Sequence, residues 1–225
     1  MRVAVIGLGR FGYRLACELF DRKIDVIAVD LDPRRVEDFE EYGGHALALD
    51  ATSEIELRRA ELHRLDLAVV CIGEEVEQSQ LVTHLLKNQL EMERVISRAH
   101  TDARDTILRA IGSDEVLRPE SDSAVRLAQR LAFRGCEEFL ELAPGVAMVR
   151  LRAPKHFVEK TILQLEVRPR FRVNIIGIRS SPGDGESPTK EATLELVPEP
   201  GYTFQEGDEL LVVGREEDIR RMMTG

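Results

Sequence analysis

The chain has 225 residues, of which 43% are hydrophobic and 32% charged, and its formal net charge is -10 at pH 7. This composition is typical of a folded protein with one large or two modest domains, and it excludes a disordered chain. The negative charge argues against nucleic acid as a partner, because a phosphate backbone is bound by clustered Lys and Arg. No apolar run approaches the roughly 18 to 20 residues of a bilayer span, so we expect a cytoplasmic protein without direct membrane insertion.

Short apolar runs alternate with longer segments of helical period in the first part of the chain. This alternation is typical of repeated strand-helix-strand units and of a parallel sheet, and it predicts a Rossmann-like, doubly wound α/β domain over residues 1–118. The predicted strands are 3–6, 25–29, 46–49, 67–71, 95–97 and 115–117. The predicted helices are 11–20, 34–40, 54–60, 75–88 and 103–110.

A glycine-rich turn follows the first predicted strand. In the pattern Gly7-x-Gly9-x-x-Gly12 the first glycine permits a tight turn, the second lets the backbone approach a pyrophosphate, and the third lets the helix pack closely on the strand. Asp30 ends the second predicted strand, at about the spacing expected of a carboxylate that binds ribose hydroxyls and disfavours NADP. The alternative is that the glycines are only structural.

Arg10 stands at the predicted start of the first helix. A cation gains nothing from the helix dipole there, so an anionic ligand nearby would explain it. Its guanidinium could reach the distal phosphates of ADP or ATP. The alternative is a solvated surface arginine.

Further candidate residues follow the later strands, where the ligand contacts of open α/β sheets gather. Asp50 after the third strand could close a loop on an adenine ring or could cap the next helix. Gly73 after the fourth strand could approach a ligand or form a plain turn. Arg98 and Glu120 follow the fifth and sixth strands, although the helix dipole alone would also favour Glu120 at a helix start.

A helix after Pro119 carries a broad apolar stripe that could pack against another subunit, and we predict a crossover helix and linker over residues 119–140. Short alternating apolar runs between Pro and Gly turns then predict a smaller, mostly β domain over residues 141–225. A polar hairpin loop is predicted at 180–187 and a last helix at 216–222.

Three cysteines, Cys17, Cys71 and Cys136, form no CxxC pair and make an odd number. This pattern fits a reducing compartment, and we expect all three to be small buried side chains. None of the five histidines stands in a catalytic motif, and no P-loop lysine or metal-ligand cluster occurs. The sequence therefore favours a binding protein over an enzyme. The competing interpretations are an NAD(H)-binding redox sensor, a small NAD-dependent oxidoreductase, and an adaptor protein whose nucleotide site is vestigial.

Several motifs occur together in one order: AVIGLGRFG, IAVDLDP, ALALDAT, VVCIG, ISRA and VLRPE. In these motifs the chain resembles the RCK (regulator of potassium conductance) family, the nucleotide-binding regulatory subunits of Ktr and Trk potassium-uptake systems. The segments ILQLEVRPRFRVNIIGI and PGYTFQEGDELLVVG resemble the RCK_C half of that family. The resemblance therefore implies an RCK_N domain followed by an RCK_C domain, and a regulator rather than an enzyme.

The resemblance also implies how such a subunit works. It would form homodimers through the crossover helix, assemble into an octameric ring and dock on a membrane-embedded potassium channel or transporter subunit at the inner face of the membrane. ATP would favour the conducting state and ADP the inactive state. The implied nucleotide-site residues, with NAD(H) as the alternative ligand, are Gly7, Gly9, Arg10, Phe11, Gly12, Asp30, Asp32, Asp50, Ala51, Thr52, Ile72, Gly73, Arg98 and Glu120.

Two further ligands are implied. Glu120 would face the nucleotide phosphates and an associated divalent or monovalent cation. Cyclic di-AMP would bind at the RCK_C dimer interface. Pro169 and Arg170 depart from the family pattern in this segment. The alternative is that the residues of this segment bind no ligand and only form packing contacts in a dimer of the β domains. The implied cyclic di-AMP contacts are Ile162, Leu163, Arg168, Phe171, Asn174, Ile175 and Pro198.

Overall fold

The computed structural model describes residues 1–73, 75–133, 135–180 and 194–225. The chain divides into two compact units, Met1–Asp122 and Ser123–Gly225. Within the described ranges, no helix combines the length and the apolar character that a bilayer span requires.

The first unit contains a parallel sheet of six strands in the order β3-β2-β1-β4-β5-β6. The order reverses beside β1, which is where ligands bind in open α/β sheets. This sheet confirms the predicted doubly wound fold. The strands are β1 (Arg2–Ile6), β2 (Asp25–Asp30), β3 (His45–Ala48), β4 (Leu67–Val70), β5 (Val95–Arg98) and β6 (Glu115–Leu117).

Helices cover both faces of this sheet. Asp32, Ser53 and Thr101 accept backbone N–H groups at the starts of three of them, as N-cap residues do. The helices are α1 (Arg10–Asp21), α2 (Pro33–Glu41), α3 (Glu54–Arg59), α4 (Val76–His84) and α5 (Asp102–Ala110). The predicted helix 75–88 continues past α4 as a π-helical turn, Leu85–Gln89.

The core of the first unit forms two layers, one on each face of the sheet. In strand β1, Val3 and Val5 pack into one layer, while Ala4 and Ile6 pack into the other. A strand that is apolar on both faces is typical of a central parallel strand. The sheet therefore holds the carboxyl ends of its strands in fixed positions, and these ends build the site.

The second unit contains an antiparallel sheet in the order β10-β9-β11-β8-β7, which confirms the predicted smaller, mostly β domain. Its core is centred on Phe157, Phe171 and Phe204, all fully buried. Helix α6 (Pro119–Ala132) leads into this unit. The remaining elements are β7 (Cys136–Ala143), β8 (Val146–Arg152), α7 (Ile162–Leu165), α8 (Val167–Phe171), β9 (Asn174–Arg179), β10 (Leu194–Leu196), β11 (Glu209–Arg215) and α9 (Glu216–Thr224).

Some features of the second unit differ from expectation. Strand β7 begins at Cys136, inside the segment predicted as a linker, and helices α7 and α8 were not predicted. Cys17 and Cys71 are buried as expected, but Cys136 is only half-buried because it lies at the start of β7. Most of the polar loop predicted at 180–187 lies outside the described residues.

Candidate functional site

A cleft of about 1130 Å³ opens at the carboxyl ends of the parallel strands in the first unit. Of the residues proposed for the nucleotide site, all but Gly12 line this cleft. They are Gly7, Gly9, Arg10, Phe11, Asp30, Asp32, Asp50, Ala51, Thr52, Ile72, Gly73, Arg98 and Glu120. The sheet thus brings together residues that are up to 113 positions apart in the sequence, from Gly7 to Glu120.

The glycines of the turn after β1 have different surroundings. Gly7 has φ of 95°, a conformation that favours glycine, and its N–H donates to the Val29 carbonyl over 2.7 Å. A Cβ built on Gly12 would lie 1.9 Å from the Gly7 oxygen, so only glycine lets α1 pack this closely on β1. A Cβ on Gly9 would meet nothing within 4 Å, so at Gly9 the backbone faces open space that a ligand could enter.

The first turn of α1 is suited to an anion. Gly9 is the N-cap residue and brings no side-chain cap, and the first turn has no acidic residue. The uncapped N–H groups and the helix dipole therefore give positive potential at the cleft. Arg10 is exposed there and forms no ion pair with the part of the chain that the structure describes.

Asp30 ties the glycine turn to the end of β2. Its Oδ2 accepts the Leu8 N–H over 2.5 Å and its Oδ1 accepts the Asp32 N–H over 2.8 Å. Arg35 lies 3.3 Å from Oδ2, and the Asp30 side chain is only 7% exposed. The carboxylate was predicted to bind ribose, and it also has a structural role that the spacing did not reveal.

The loop after β3 is closed by its own side chains. Asp50 Oδ1 accepts the Thr52 N–H over 2.8 Å and the Thr52 hydroxyl over 2.6 Å. The Leu49 N–H donates to the Asp30 carbonyl, which joins this loop to the end of β2. The loop is therefore fixed along one wall of the cleft.

Asp32 is committed to the start of α2. Its carboxylate caps the helix and pairs with Arg34. The Arg34 guanidinium and then the Arg34 amide hold the pKa of the Asp32 carboxyl below its usual range. Asp32 lines the cleft, but its carboxylate already has partners.

The wall of the cleft at the ends of β5 and β6 contains a cluster of side chains around Arg98. The Arg98 guanidinium donates to Glu120 and lies over the Phe11 ring, with 5.2 Å between the guanidinium carbon and the ring centroid. His100 Nδ1 lies 3.6 Å from the other Glu120 oxygen. The amide of Glu120 itself and the Arg98 guanidinium hold the pKa of Glu120 below its usual range.

Ten residues that line the cleft were not among the predicted site residues. Arg14 follows Arg10 by one helical turn and could have been found from that spacing, and His100 comes two residues after Arg98. Arg35 became evident only through its contact with Asp30. The full set is Ile6, Arg14, Val29, Leu31, Arg35, Leu49, Cys71, Glu75, Gln78 and His100.

The predicted cation at Glu120 does not fit this chain on its own. The Glu120 carboxylate is engaged by Arg98, and a guanidinium repels a cation. Among the described residues there is no group of three or more His, Cys, Asp or Glu that could hold a metal ion. The described residues of one chain therefore do not supply such a ligand group around Glu120.

The residues proposed for cyclic di-AMP lie on the second unit in different environments. Leu163, Arg168 and Asn174 are exposed, and Ile162, Ile175 and Pro198 are half-buried. Phe171 differs from the proposal because its ring is 1% exposed and packs 6.3 Å from the Phe157 ring. Phe171 therefore packs in the core of its own domain.

Comparison with protein families gives two matches that together cover most of the chain. Residues 3–119 match the TrkA-N domain and residues 146–224 match the TrkA-C domain. The first match contains every residue of the cleft except Glu120.

Two curated relatives align over nearly their full length. The Ktr system potassium uptake protein C of Bacillus subtilis is 31% identical over 220 residues, which cover 97% of this chain and 94% of the relative. The Ktr system potassium uptake protein A of the same organism is 32% identical over 218 residues, which cover 97% of this chain and 93% of the relative. Among solved structures, the GsuK channel bound to NAD has a TM-score of 0.53 at 24% identity, covering 99% of this chain and 38% of that chain.

Proposed function

This chain belongs to the family of proteins that combine a TrkA-N with a TrkA-C domain, and on that premise we propose that it is a nucleotide-binding regulatory subunit of a potassium-uptake system. The two relatives described above are named as Ktr system potassium uptake proteins, and each alignment covers 97% of this chain. The subunit regulates and does not catalyse. The proposed partner is a membrane-embedded potassium channel or transporter subunit, through which this cytoplasmic chain reaches the inner face of the membrane.

The ligand of the cleft is an adenine nucleotide, ATP or ADP. The observation that carries this assignment is Arg10, which forms no ion pair with the described residues, beside a first turn of α1 that has no side-chain cap. Phosphate oxygens accept such N–H groups and pair with a guanidinium in a bidentate way. Asp30 lies at the neighbouring strand end, within reach of the ribose end of the same cleft.

The switch depends on how many phosphates the nucleotide carries. Exchange of ATP for ADP removes the phosphate that Arg10 contacts, and only a difference in affinity between two states of the assembly can shift their populations. Moving a two-state equilibrium from 1:99 to 99:1 takes about 5.5 kcal/mol. A tenfold preference at each site contributes about 1.4 kcal/mol, so about four sites of an octameric ring would be enough.

Cyclic di-AMP is the proposed second ligand, at the TrkA-C domain. The exposed Arg168 supports this, because a guanidinium can pair with a phosphodiester, and the exposed Leu163 offers an apolar contact for a base. Binding at two separate domains would give the subunit two independent inputs.

A titration that follows the thermal unfolding midpoint separates these functions from their alternatives. Ligands that bind only the folded protein raise the midpoint by an amount that grows with the ratio of the ligand concentration to its Kd. We expect shifts with ATP, with ADP and with cyclic di-AMP. A shift with NADH alone would favour a redox sensor or an oxidoreductase, and no shift with any ligand would favour an adaptor protein and overturn the proposal.

A further inference from the structure

Helix α4 contains two buried hydroxyl residues, Ser79 and Thr83, which lie one helical turn apart. The Thr83 hydroxyl donates to the Ser79 carbonyl over 2.8 Å and lies 2.9 Å from the hydroxyl of Ser97 in β5. The Ser79 hydroxyl oxygen is buried as well, but it has no hydrogen-bond partner among the residues that the structure describes. Buried side-chain oxygens are rarely left unpaired, so Ser79 points to a partner that is not a protein group.

Arg98, the residue after Ser97 in β5, has an unpaired group of the same kind. Its Nη2 donates to Glu120 in the cleft, whereas its Nε is buried and has no partner in the described part of the chain. A guanidinium N–H can only donate, so Nε needs an acceptor. Because this nitrogen is buried, its acceptor lies inside the domain and is not a ligand of the cleft.

Ser79 and Arg98 line the same small cavity, whose volume is about 10 Å³. The segment after β4 and helix α5 form its other walls, and there Arg104 donates to the Gly73 carbonyl over 3.2 Å. This volume is about the least that holds one water molecule. A water can accept the Arg98 Nε–H and hydrogen-bond the Ser79 hydroxyl at the same time, whereas the guanidinium would repel a cation.

We propose that this cavity is a binding site for one ordered water, which accepts the Arg98 Nε–H and hydrogen-bonds the Ser79 hydroxyl. The water joins α4 to the end of β5, as the direct contact between Thr83 and Ser97 does one helical turn further along α4. It holds the guanidinium from inside the domain, while Nη2 of the same group lies at the cleft. The site belongs to the interior of the first unit and does not depend on which nucleotide binds.

A crystal structure of the full chain, at a resolution where ordered waters are visible, tests the site without any substitution. We expect density for one water within hydrogen-bond distance of both Ser79 Oγ and Arg98 Nε. Absence of this water would overturn the proposal. A Ser79 hydroxyl that donates instead to the Glu75 carbonyl, one turn earlier in the helix, would overturn it as well.

Urea denaturation of a double-mutant cycle provides a second readout, because residues that share a partner show non-additive effects. Ser79→Ala removes the hydroxyl, and Arg98→Met removes Nε but keeps an unbranched side chain. We expect Ser79→Ala to lower the folding equilibrium constant of the first unit about tenfold in the wild type and less than about threefold in Arg98→Met. An equal cost in both backgrounds would contradict the shared water.

Ser113→Ala is the matched control for this cycle. The Ser113 hydroxyl is also buried, but it donates to the Glu115 carbonyl over 2.8 Å, and Ser113 does not line the cavity. Its substitution should therefore cost the same factor in the wild type and in Arg98→Met. A chain that binds no nucleotide would overturn the proposed function and leave the water site intact, so the two proposals fail separately.

Discussion

The amide of Leu8 donates a hydrogen bond to Asp30 Oδ2 over 2.5 Å, in a buried position between β1 and β2. This contact fixes the glycine turn against the neighbouring strand end. The glycine turn and the end of β2 are therefore held by one carboxylate. Its removal should affect both the fold and the binding of a nucleotide.

Asp30→Ala leaves the buried Leu8 N–H without an acceptor. We expect the free energy of unfolding of the first unit to fall by about 1–3 kcal/mol, together with weaker binding of ADP. Urea denaturation and calorimetry measure the two effects. Asp25→Ala, at the exposed first position of the same strand, is the control and should change neither. Wild-type stability of Asp30→Ala would show that the contact is unimportant.

Gly12 and Gly9 of the glycine turn should affect different properties, Gly12 the stability of the first unit and Gly9 the binding of a nucleotide. Gly12→Ala places a methyl group 1.9 Å from the Gly7 oxygen, so it should destabilise the first unit by about 1–3 kcal/mol or more. Gly9→Ala meets no protein atom within 4 Å and should fold normally but bind ADP more weakly, because its methyl group occupies the phosphate approach. Thermal unfolding with and without ADP measures both variants. The reverse order of effects would contradict these assignments.

The three thiols should differ in reactivity. Burial raises the pKa of Cys71 to about 12 and also raises the pKa of Cys17, so neither forms an accessible thiolate near neutral pH. Burial raises the pKa of the Cys136 thiol too, but this side chain is only half-buried, so exposure separates it from the other two. At pH 8 we expect an aromatic disulfide reagent to modify Cys136 first, and all three thiols only in denaturant. Cys136→Ser should abolish the early reaction, and an early reaction that persists in this variant would place Cys17 or Cys71 within reach of solvent.

Helix α6 should form the dimer contact that the family resemblance implies. None of its residues is buried within the chain, and Val125, Leu127 and Leu131 are large exposed apolar side chains. Leu131→Asp places a charge on this face and should lower the molar mass measured by light scattering. Arg126→Ala alters the same helix without a charge on an apolar position and should leave the mass unchanged. An assembly that tolerates Leu131→Asp would place the contact elsewhere.

The first unit was largely predictable because its signals are local. The apolar strand β1 and the glycine turn are each a short pattern with one physical reason. Strand β7 was missed because only Phe139 of its residues is buried, so the strand lacks clear alternation. Helices α7 and α8 were missed because they have four and five residues and Pro169 lies in the second.

The cleft was predicted from strand ends, but its internal contacts were not. The pairing of Asp30 with Arg35 and of Arg98 with Phe11 depends on side-chain directions in three dimensions. Sequence spacing places such residues at one edge of the sheet without showing which of them touch. The same limit explains why the ion pair between Glu120 and Arg98 was not predicted.

The most direct test of the nucleotide switch is the ratio of the dissociation constants for ATP and ADP, measured by calorimetry in the wild type and in Arg10→Ala. Arg14→Ala is the control, because Arg14 also lines the cleft but pairs with Glu18. We expect the wild type and the control to separate the two nucleotides by about tenfold, or about 1.4 kcal/mol, and Arg10→Ala to bind them with nearly equal affinity. An unchanged ratio in Arg10→Ala, or a wild type that does not separate ATP from ADP, would contradict the account.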